Sequence, residues 1–588
     1  MDRLVACVVV AGISFAAVGR AEVETVSTDP GSGITIEAEG WAGLNSRPTG
    51  RDVGLIPVTV TISNASGVDR VWTVATDDRF GRWTGVAPSA RIAVPAGATG
   101  KTTLFVGMAD RWGGHHQLQI SGHGVQGSIY LDCRTEEQGH GGAASPALLR
   151  AGVSTEVQAI QGYPFEDLQR SGNPLDMAQA PEDWRGWSVF RNVMLSEGEW
   201  RALAGGRRKA MLDWVATGGQ AAVIVADAAA ERLDGMGLPA AGPDGRRRIG
   251  AGEVVVIRSQ GTGLDAKGWG PFQANGRETF ASLLASYQPA SSSSRDYAGD
   301  GGSWDRGFGR LVEVFGSRTL PVGWILGFLT LFGIIAGPLN VMVLAGAGRR
   351  SRMFWTTPLI SLAATAFLLA LMFLRDGVGG AGARRVLALL VPEHNAVAII
   401  QEQFSRTGVL LGSSFPIEEP AWLQPIGRSD QNAQLSEVDG RMRQGDWFRS
   451  RSDQAFIATA VRPSRARIEV VGGSEAAPPA VISSIEVPLE RVFVIDEEGR
   501  YWTAADVGTG EKKQLVASDA DAYARWFESL VVDAGPVRAQ ALTCVRKVRG
   551  YAYATSKDAS KLAVRTLGSI RWVDERADFA GPFTRSKP

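Results

Sequence analysis

The chain has 588 residues, a length that predicts three or four domains rather than one. Its 61 Lys and Arg balance 61 Asp and Glu, which argues against a broad basic surface for nucleic acid and against an acidic tail for cations. The 72 glycines suit β-rich domains with tight turns. We therefore expect a multidomain protein with no nucleic-acid partner.

Residues 1–21 are predicted to be a secretory signal peptide. Arg3 precedes an apolar run, Leu4 to Val18, and small residues then lead to Ala21. Cleavage near Ala21 would release the segment, whereas an uncut segment would be a further membrane anchor. Cys7 precedes most of the apolar run instead of following it, so we do not expect a lipid attached there.

Residues 31–135 are predicted to form a β-sandwich of the immunoglobulin-like kind. Apolar residues alternate with polar ones, as in the run from Val58 to Ile62, and turn residues recur between such runs. One candidate metal site falls in this region, because imidazole and thiolate groups bind zinc or copper. Its members are His115, His116, His123, His140 and Cys133. Surface histidines are the favoured interpretation, and we expect neither a metal nor a cofactor.

Residues 146–290 are predicted to form an α/β domain. A strand from Val189 to Leu195 leads into Ser196 and Glu199, the spacing of a capping box. The helix that follows ends at Gly218-Gly219, and a fully apolar strand, Ala221–Ala226, comes next. Strand, helix and buried strand in succession indicate a βαβ unit with a parallel sheet.

The α/β region also contains several candidate binding residues. Trp184 and Trp187 could stack on a sugar, although packing is the commoner role of such residues. Adjacent Glu182 and Asp183 could form a carboxylate pair, which is improbable because neighbouring side chains rarely converge. Arginine- and lysine-rich triplets could bind phosphate or an acidic glycan, but solvated surface charge is the favoured interpretation. They are Arg207-Arg208-Lys209 and Arg246-Arg247-Arg248.

A linker is predicted at 291–320, followed by a transmembrane hairpin. Its helices are expected at 321–345 and 354–374, because each run is uncharged and about 20 residues long, enough to cross about 30 Å of hydrocarbon. The loop at 346–353 carries three arginines, which favours the cytoplasmic side. Asn340, within the first span, is expected to bond across the hairpin, or else to a partner's helix.

The C-terminal region, residues 383–588, is predicted to be β-rich with one amphipathic helix, Ala520–Leu530. Gly377 to Gly382 is expected to be a flexible tether, and Asp496 to Gly499 a hairpin turn. With both flanks outside the cytoplasm, Cys133 and Cys544 would lie in an oxidising compartment. A disulfide between them is one possibility and two buried thiols are the other.

Three features together resemble a family. They are Gly337-Pro338-Leu339-Asn340 in the first span, the segments Asp183–Gly186 and Asp213–Gly219 around a strand and helix, and an export signal with β domains. The chain resembles uncharacterised bacterial two-span envelope proteins whose extracytoplasmic domain is similar to class I glutamine amidotransferases. The resemblance implies a flavodoxin-like sheet in the middle of the chain.

Catalysis is not carried over by that resemblance. An amidotransferase needs a nucleophilic cysteine at the turn after a strand, with a histidine nearby. The matching turn here has Asp227, and neither Cys nor His occurs between Arg150 and Leu320. We therefore expect a non-catalytic relative, with no catalytic residue to assign.

The leading hypothesis is a non-enzymatic envelope protein, anchored in the bacterial cytoplasmic membrane with most of the chain on the periplasmic side. It would act as an interaction scaffold or sensor, with the lipid bilayer and a membrane or envelope protein as partners. The alternative is a glycan-binding module or glycan-active enzyme using Trp184 and Trp187. A third hypothesis is a residual hydrolase using Asp227. The sequence leaves any small-molecule ligand open.

Overall fold

A computed structural model describes residues 22–26, 32–41, 54–76, 86–107, 115–123, 125–132, 150–151, 177–190, 192–203, 205–226, 233, 235–242, 245–260, 263–264, 308–316, 322–417, 419–426, 435–438, 442–445, 448–472 and 478–586. The predicted signal peptide lies outside these residues, and so do Cys133, His140 and Asp227. Within these described ranges the chain forms several β-rich units and two long apolar helices.

Two antiparallel sheets form the N-terminal unit. The strands are β1 (Glu22–Val26), β2 (Ile34–Gly40), β3 (Leu55–Asn64), β4 (Arg70–Thr76), β5 (Val86–Val94), β6 (Thr99–Gly107), β7 (His115–Gly122) and β8 (Val125–Asp132). One sheet has the order β1-β2-β3-β6, and the other contains β5-β4-β7-β8. Alternate residues such as Ile36, Val60 and Val74 are fully buried, so the two sheets share one apolar core. A β-sandwich is thus present, as the alternation of apolar residues predicts.

A mostly parallel sheet follows. Its strands are β9 (Arg150–Ala151), β10 (Asn192–Ser196), β11 (Gln220–Val225), β12 (Arg247–Ile249), β13 (Gly252–Gln260) and β14 (Gly263–Leu264), and its helices are α1 (Glu197–Ala202) and α2 (Gly205–Ala216). Strands β9, β10, β11 and β13 run parallel, and β12 closes one edge antiparallel. Every residue of β11 is buried. The predicted parallel sheet with a fully buried strand is therefore confirmed.

Local signals set the ends of both helices. At the start of α1, Glu199 N donates to Ser196 Oγ over 3.2 Å, and Ser196 N donates to Glu199 Oε2 over 2.7 Å. The predicted capping box is thus confirmed. Helix α2 ends where Gly218 N donates to Val215 O and Gly219 N donates to Trp214 O, with Gly218 at φ +119°. This pairing is a Schellman ending, which glycine permits because it lacks a Cβ.

The predicted membrane hairpin consists of two exposed helices. Helix α4 (Val322–Ile334) continues as a π-helix, Ile335–Leu344, and α5 spans Met353–Asp376. Both are long and apolar enough to cross a membrane. Large apolar side chains point outward, with Trp324 84% and Leu374 83% exposed. Such a surface is unfavourable in water and compatible with lipid.

Part of the predicted linker at 291–320 is ordered against the C-terminal unit. A short helix, α3, spans Gly309–Glu313, and Phe308, just before it, and Leu311, within it, are buried. Arg406 donates to the carbonyl oxygens of Phe315 and Gly316 over 2.8 and 3.0 Å. The segment that leads into α4 is therefore held against the unit that follows α5.

The C-terminal unit is built on a nine-stranded sheet. Its elements are β15 (Gly380–Val391), β16 (Ala396–Thr407), β17 (Ala421–Ile426), β18 (Leu435–Val438), β19 (Met442–Gly445), β20 (Asp453–Pro463), β21 (Ile468–Val471), β22 (Ala480–Ser483), β23 (Leu489–Ile495), β24 (Tyr501–Val507), β25 (Lys512–Gln514), β26 (Val516–Ser518), α6 (Ala520–Val532), α7 (Pro536–Cys544), β27 (Tyr551–Ser556), β28 (Ile570–Pro582) and β29 (Thr584–Ser586). The large sheet has the order β17-β20-β16-β15-β28-β27-β23-β24-β26, and β25-β22-β21-β29 form a small one.

Two expectations for this unit are wrong. Its described residues contain two α-helices, α6 and α7, rather than one, and α7 begins at Pro536, a residue suited to a first helical turn. The predicted tether at Gly377–Gly382 is instead ordered, since Gly379 N donates to Val409 O and β15 already begins at Gly380. Helix α5 therefore connects almost directly to the sheet.

The N- and C-terminal units share a sheet. Strand β18 pairs in parallel with β5, so that Val86–Ser89 lie beside Leu435–Val438, and β19 extends the same sheet. Trp184 Nε1 also donates to Pro420 O over 3.3 Å. Segments that precede the hairpin thus contact segments that follow it.

The Asp496–Gly499 turn gives a prediction about pH. The turn joins β23 to β24, as the sequence predicts. Burial raises the pKa of Asp496, but hydrogen bonds from the Trp502 indole and from Arg500 outweigh it and hold that pKa below 3.8, its ordinary value. A lowered pKa contributes stability that is complete above the unfolded value and is lost as pH falls through the folded one.

We expect Asp496→Asn to destabilise the β23–β24 hairpin by about 1–2 kcal/mol at neutral pH, because three hydrogen bonds to a charged group are weakened. Amide hydrogen exchange of residues 489–507 measures this, comparing variant and parent at equal pH. The difference should begin to shrink as pH falls below 3.8 and disappear once pH lies below the lowered pKa of Asp496. Glu497→Gln is the control, since Glu497 is 51% exposed and pairs with Arg585 at 3.4 Å. A difference that persists unchanged to pH 2 would contradict the assignment.

Candidate functional site

A polar clasp joins the two helices of the hairpin. Asn340 is fully buried, although its neighbours in the span are apolar and exposed. Its Nδ2 donates to Thr357 Oγ1 over 3.0 Å, and Thr356 Oγ1 donates to its Oδ1 over 2.7 Å. The expectation that Asn340 bonds across the hairpin is therefore confirmed. The side chain is occupied within the chain.

The helix geometry next to Asn340 accounts for the proline in the Gly-Pro-Leu-Asn sequence. Pro338 lacks an N–H, so it removes one bond of a regular α-helix. The turn widens into a π-helix, in which Ala345 N donates to Asn340 O over 2.8 Å. The wider turn carries Asn340 towards Thr356 and Thr357. Proline thus contributes to placing the amide between the helices.

We expect Asn340→Leu to weaken the hairpin by about 1–2 kcal/mol, because two interhelical hydrogen bonds are lost in an apolar setting. The measurement is thermal unfolding of the full chain in detergent micelles. Thr330→Val serves as a control, since Thr330 Oγ1 bonds only Leu326 O of its own helix. Equal melting temperatures for Asn340→Leu and the parent would show that the clasp adds no stability.

A second polar cluster lies in the C-terminal unit, where α6 meets α7 above the large sheet. Arg538 on α7 is fully buried. It donates to Glu402 Oε2 over 3.1 Å, to Asp578 Oδ2 over 2.7 Å and to Asp533 O over 2.6 Å. Gly535 N, at the start of α7, also donates to Glu402 Oε2 over 3.0 Å. One guanidinium thus links two strands and both helices.

A second arginine extends this cluster. Arg385 on β15 donates to Asp533 Oδ2 over 2.9 Å and to Asp574 Oδ2 over 2.8 Å. Burial opposes the charge of Arg385, but the two carboxylates outweigh it and raise the pKa of Arg385. Burial raises the pKa of Asp578, while Arg538 acts in the opposite direction. The cluster is a compensated set of charges, with its carboxylates already bound to arginines.

A cavity of about 360 Å³ lies beside the cluster, and we call it the arginine pocket. Helices α3 and α6 and strands β23, β27 and β28 contribute its walls. The residues lining it are Arg310, Glu490, Arg491, Trp526, Ser529, Leu530, Asp533, Thr555, Ser556, Arg576 and Asp578.

The register of the sheet explains why these residues meet. Arg491, Thr555 and Asp578 are successive cross-strand neighbours on β23, β27 and β28. Further along the same sheet face, Phe493 and Tyr553 pack against Tyr523 of α6, with ring centroids within 5.8 Å. The face is thus apolar beneath the helices and charged beside them, and the pocket lies at the charged end.

The tryptophans proposed for glycan stacking are part of the core. Trp187 is fully buried and Trp184 is 3% exposed. Trp187 packs against Trp41, with ring centroids 4.9 Å apart, and its Nε1 donates to Pro181 O over 3.1 Å. Neither ring presents a face to a sugar. The role suggested for them in glycan binding is therefore wrong.

Asp183 also has a structural partner. Its carboxylate accepts two hydrogen bonds from Arg185 Nε and one from Arg185 Nη2, at 2.8 to 3.1 Å. Arg185 is 2% exposed and lies over the Phe105 ring at 4.3 Å. The contacts join the segment before β10 to the N-terminal sandwich. They account for Asp183 without a carboxylate pair with Glu182.

The basic triplets make contacts within the protein. Arg207 donates to Ala180 O and Arg208 to Trp200 O, while Lys209 pairs with Asp213. In the second triplet, Arg246 pairs with Glu253 at 3.8 Å and Arg247 donates to Pro239 O. These contacts are what structural surface residues make, and they supply no converging anion site.

The histidine cluster is described in part. His115 and His116 are consecutive residues of β7, and His123 is exposed in a turn. Among the described residues, no group of three or more His, Cys, Asp or Glu is placed to hold a metal ion. Cys544 lies in α7 while Cys133 lies outside the described residues, so their pairing stays a prediction.

Sequence reasoning misses both the charged cluster and the arginine pocket. The pocket residues come from five distant segments, and the cluster adds residues from β15 and β16, so no local motif connects them. A weak signal exists in Gln401-Glu402-Gln403, a polar triplet inside a strand that begins as apolar Val397–Ile400. Buried charges of this kind need partners, which points to a cluster without naming its members.

Comparison of the chain with protein-family models, with curated proteins and with solved structures finds no match in any of the three.

Proposed function

We propose that this protein is a non-enzymatic, membrane-anchored cell-envelope protein that acts as an extracytoplasmic interaction scaffold or sensor. The observation that carries the proposal is the pairing of β5 with β18. These strands lie on opposite sides of the hairpin in sequence. Strands that share hydrogen bonds must lie on the same side of a membrane, so α4 and α5 would cross it as a returning pair.

The charge of the loop between the helices supports one orientation in the membrane. The loop between the helices contains Arg349, Arg350 and Arg352, and all three are exposed. Short arginine-rich loops favour the cytoplasm. The flanking units would then face the periplasm of a bacterial cell, in agreement with an N-terminal export signal.

The proposal also includes the fold type of each domain. The N-terminal sandwich would be immunoglobulin-like, because it consists of two antiparallel sheets around one core. The parallel strands β10, β11 and β13 suit a flavodoxin-like, amidotransferase-related domain without its catalytic cysteine. This absence of the nucleophile supports a binding role over catalysis.

The short cytoplasmic loop implies that any signal crosses the membrane through a partner protein. Because the Asn340 amide is bonded to Thr356 and Thr357, that partner would contact other parts of the hairpin or the periplasmic units. The glycan-binding alternative loses its two named residues, since Trp184 and Trp187 are buried.

In-cell crosslinking of the tagged full-length protein, followed by mass spectrometry, tests the proposal. Reproducible crosslinks to particular membrane or envelope proteins are expected. An Asn340→Leu chain serves as a matched control for hairpin integrity. Retention on polysaccharide with no protein crosslink would instead favour a glycan-binding protein.

A further inference from the structure

We infer that the arginine pocket binds a small soluble molecule that carries phosphate or carboxylate groups. The inference goes beyond the scaffold role, and binding itself does not depend on that role.

The charges of the pocket favour an anion. Three arginines line it, Arg310, Arg491 and Arg576. Among the described residues, neither Arg491 nor Arg576 has a carboxylate within 4.0 Å, the limit for an ion pair. Arg310 lies 3.7 Å from Asp533, which already accepts a shorter bond from Arg385. Arg491 and Arg576 therefore remain available for a ligand.

The carboxylates lining the pocket are bound to other groups. Asp578 is held by Arg538 at 2.7 Å, and Glu490 pairs with Lys557 at 2.8 Å. The acidic residues that line the pocket thus have partners of their own, and its three arginines are the lining charges that a ligand can use. Guanidinium groups bind phosphate and carboxylate through paired hydrogen bonds, which makes oxyanions the best-matched ligand class.

The remaining walls suit an organic molecule. Trp526 contributes an aromatic ring, and the Thr555 hydroxyl can donate or accept, whereas the Ser529 hydroxyl already donates to Trp526 O over 2.6 Å and can only accept. A cavity of about 360 Å³ falls within the range that small ligands occupy. A compact anion with an apolar or ring portion fits these features together.

The position of Arg310 would couple ligand binding to the segment that enters the membrane. Arg310 belongs to α3, just before the first membrane helix, whereas Arg491 and Arg576 belong to the large sheet. An anion between them would draw α3 and the sheet together. Bound ligand would thereby stabilise the position of the chain entering the membrane, a consequence that rests on the proposed sensor role.

Isothermal titration of the purified full-length chain in detergent micelles tests binding. The probes are pyrophosphate and citrate, which separate a phosphate preference from a carboxylate preference. Arg491→Gln and Arg576→Gln should each weaken binding of the preferred probe by about tenfold or more. Arg491→Lys, which keeps the charge but not the paired geometry, should fall between them and the parent.

Matched controls are Arg525→Gln on α6 and Arg571→Gln on β28, both exposed and outside the pocket. The inference is overturned if neither probe binds at millimolar concentration, or if the control and pocket variants lose affinity equally. Melting temperatures equal to the parent's confirm that the variants are folded.

Hydrogen exchange of residues 308–316 tests the consequence for α3. Saturating probe should slow exchange in the parent and not in Arg310→Gln. If the probe binds but does not slow exchange in residues 308–316, the coupling between the pocket and α3 is wrong, while binding in the pocket still holds. Failure of the scaffold role is detected separately, by crosslinking in cells, so the two failures are distinguishable.

Discussion

Replacing Arg538 with methionine is expected to destabilise the C-terminal unit by about 3–5 kcal/mol. Arg538 is fully buried and is the shared partner of Glu402 and Asp578, which are 1% and 5% exposed. Removing it leaves two buried carboxylates without their cation. Desolvation of an uncompensated charge costs far more than an ordinary surface change.

Pulse proteolysis of the full chain across a urea series measures the loss. Arg571→Met is the matched control, because Arg571 is exposed on β28, and it should change stability by less than about 0.5 kcal/mol. Adding Glu402→Gln and Asp578→Asn to Arg538→Met should recover part of the loss, since the buried charges are then removed. A single variant as stable as the parent would contradict the network.

Trp187→Ala is expected to cost about 3–5 kcal/mol, the range for deleting a large buried aromatic side chain. The ring contacts Trp41 from the N-terminal sandwich and stacks near Trp214 of α2, with centroids 6.5 Å apart. The change would therefore loosen the boundary between two units as well as one core. Its indole hydrogen bond to Pro181 O is lost too.

The same urea series measures this variant, with Trp187→Phe as its control. Phenylalanine keeps most of the apolar volume, so a smaller loss is expected. If the protein binds carbohydrate and both variants lose that binding in proportion to their loss of stability, the lost binding reflects unfolding. Binding lost by a fully stable Trp187→Ala protein would contradict the burial of this ring and restore the glycan hypothesis.

Local sequence signals predict much of this fold because they act through neighbours in the chain. Ser196 and Glu199 cap a helix wherever it starts, and Gly218 can end one without steric cost. The uncharged runs on either side of Arg349 likewise identify helices by length alone. Asn340 is predictable for a related reason, since an amide in an apolar span needs a partner close by.

Contacts between segments that are distant in the chain cannot be predicted from local sequence signals. Nothing near Val86 or Leu435 indicates that β5 and β18 pair, because strand partners are chosen by the tertiary fold. The exposure of Trp184 and Trp187 is also decided by what packs on them. An aromatic residue looks the same in sequence whether it faces a ligand or a core.

The candidate site shows this limit most clearly. Arg310, Arg491 and Arg576 are ordinary charged residues in sequence, and only the order of β23, β27 and β28 brings them to one cavity. The sequence of α7 likewise gives no clear amphipathic pattern, although Pro536 is a start signal.

We propose that the paired segments before and after the hairpin lie on the outer side of the membrane. Cysteines placed at Ser89 and Val438, which are register partners on β5 and β18, test it in a chain without its native cysteines. A membrane-impermeant thiol crosslinker applied to intact spheroplasts should join them. No crosslink, or one that forms only after the membrane is permeabilised, would contradict the account.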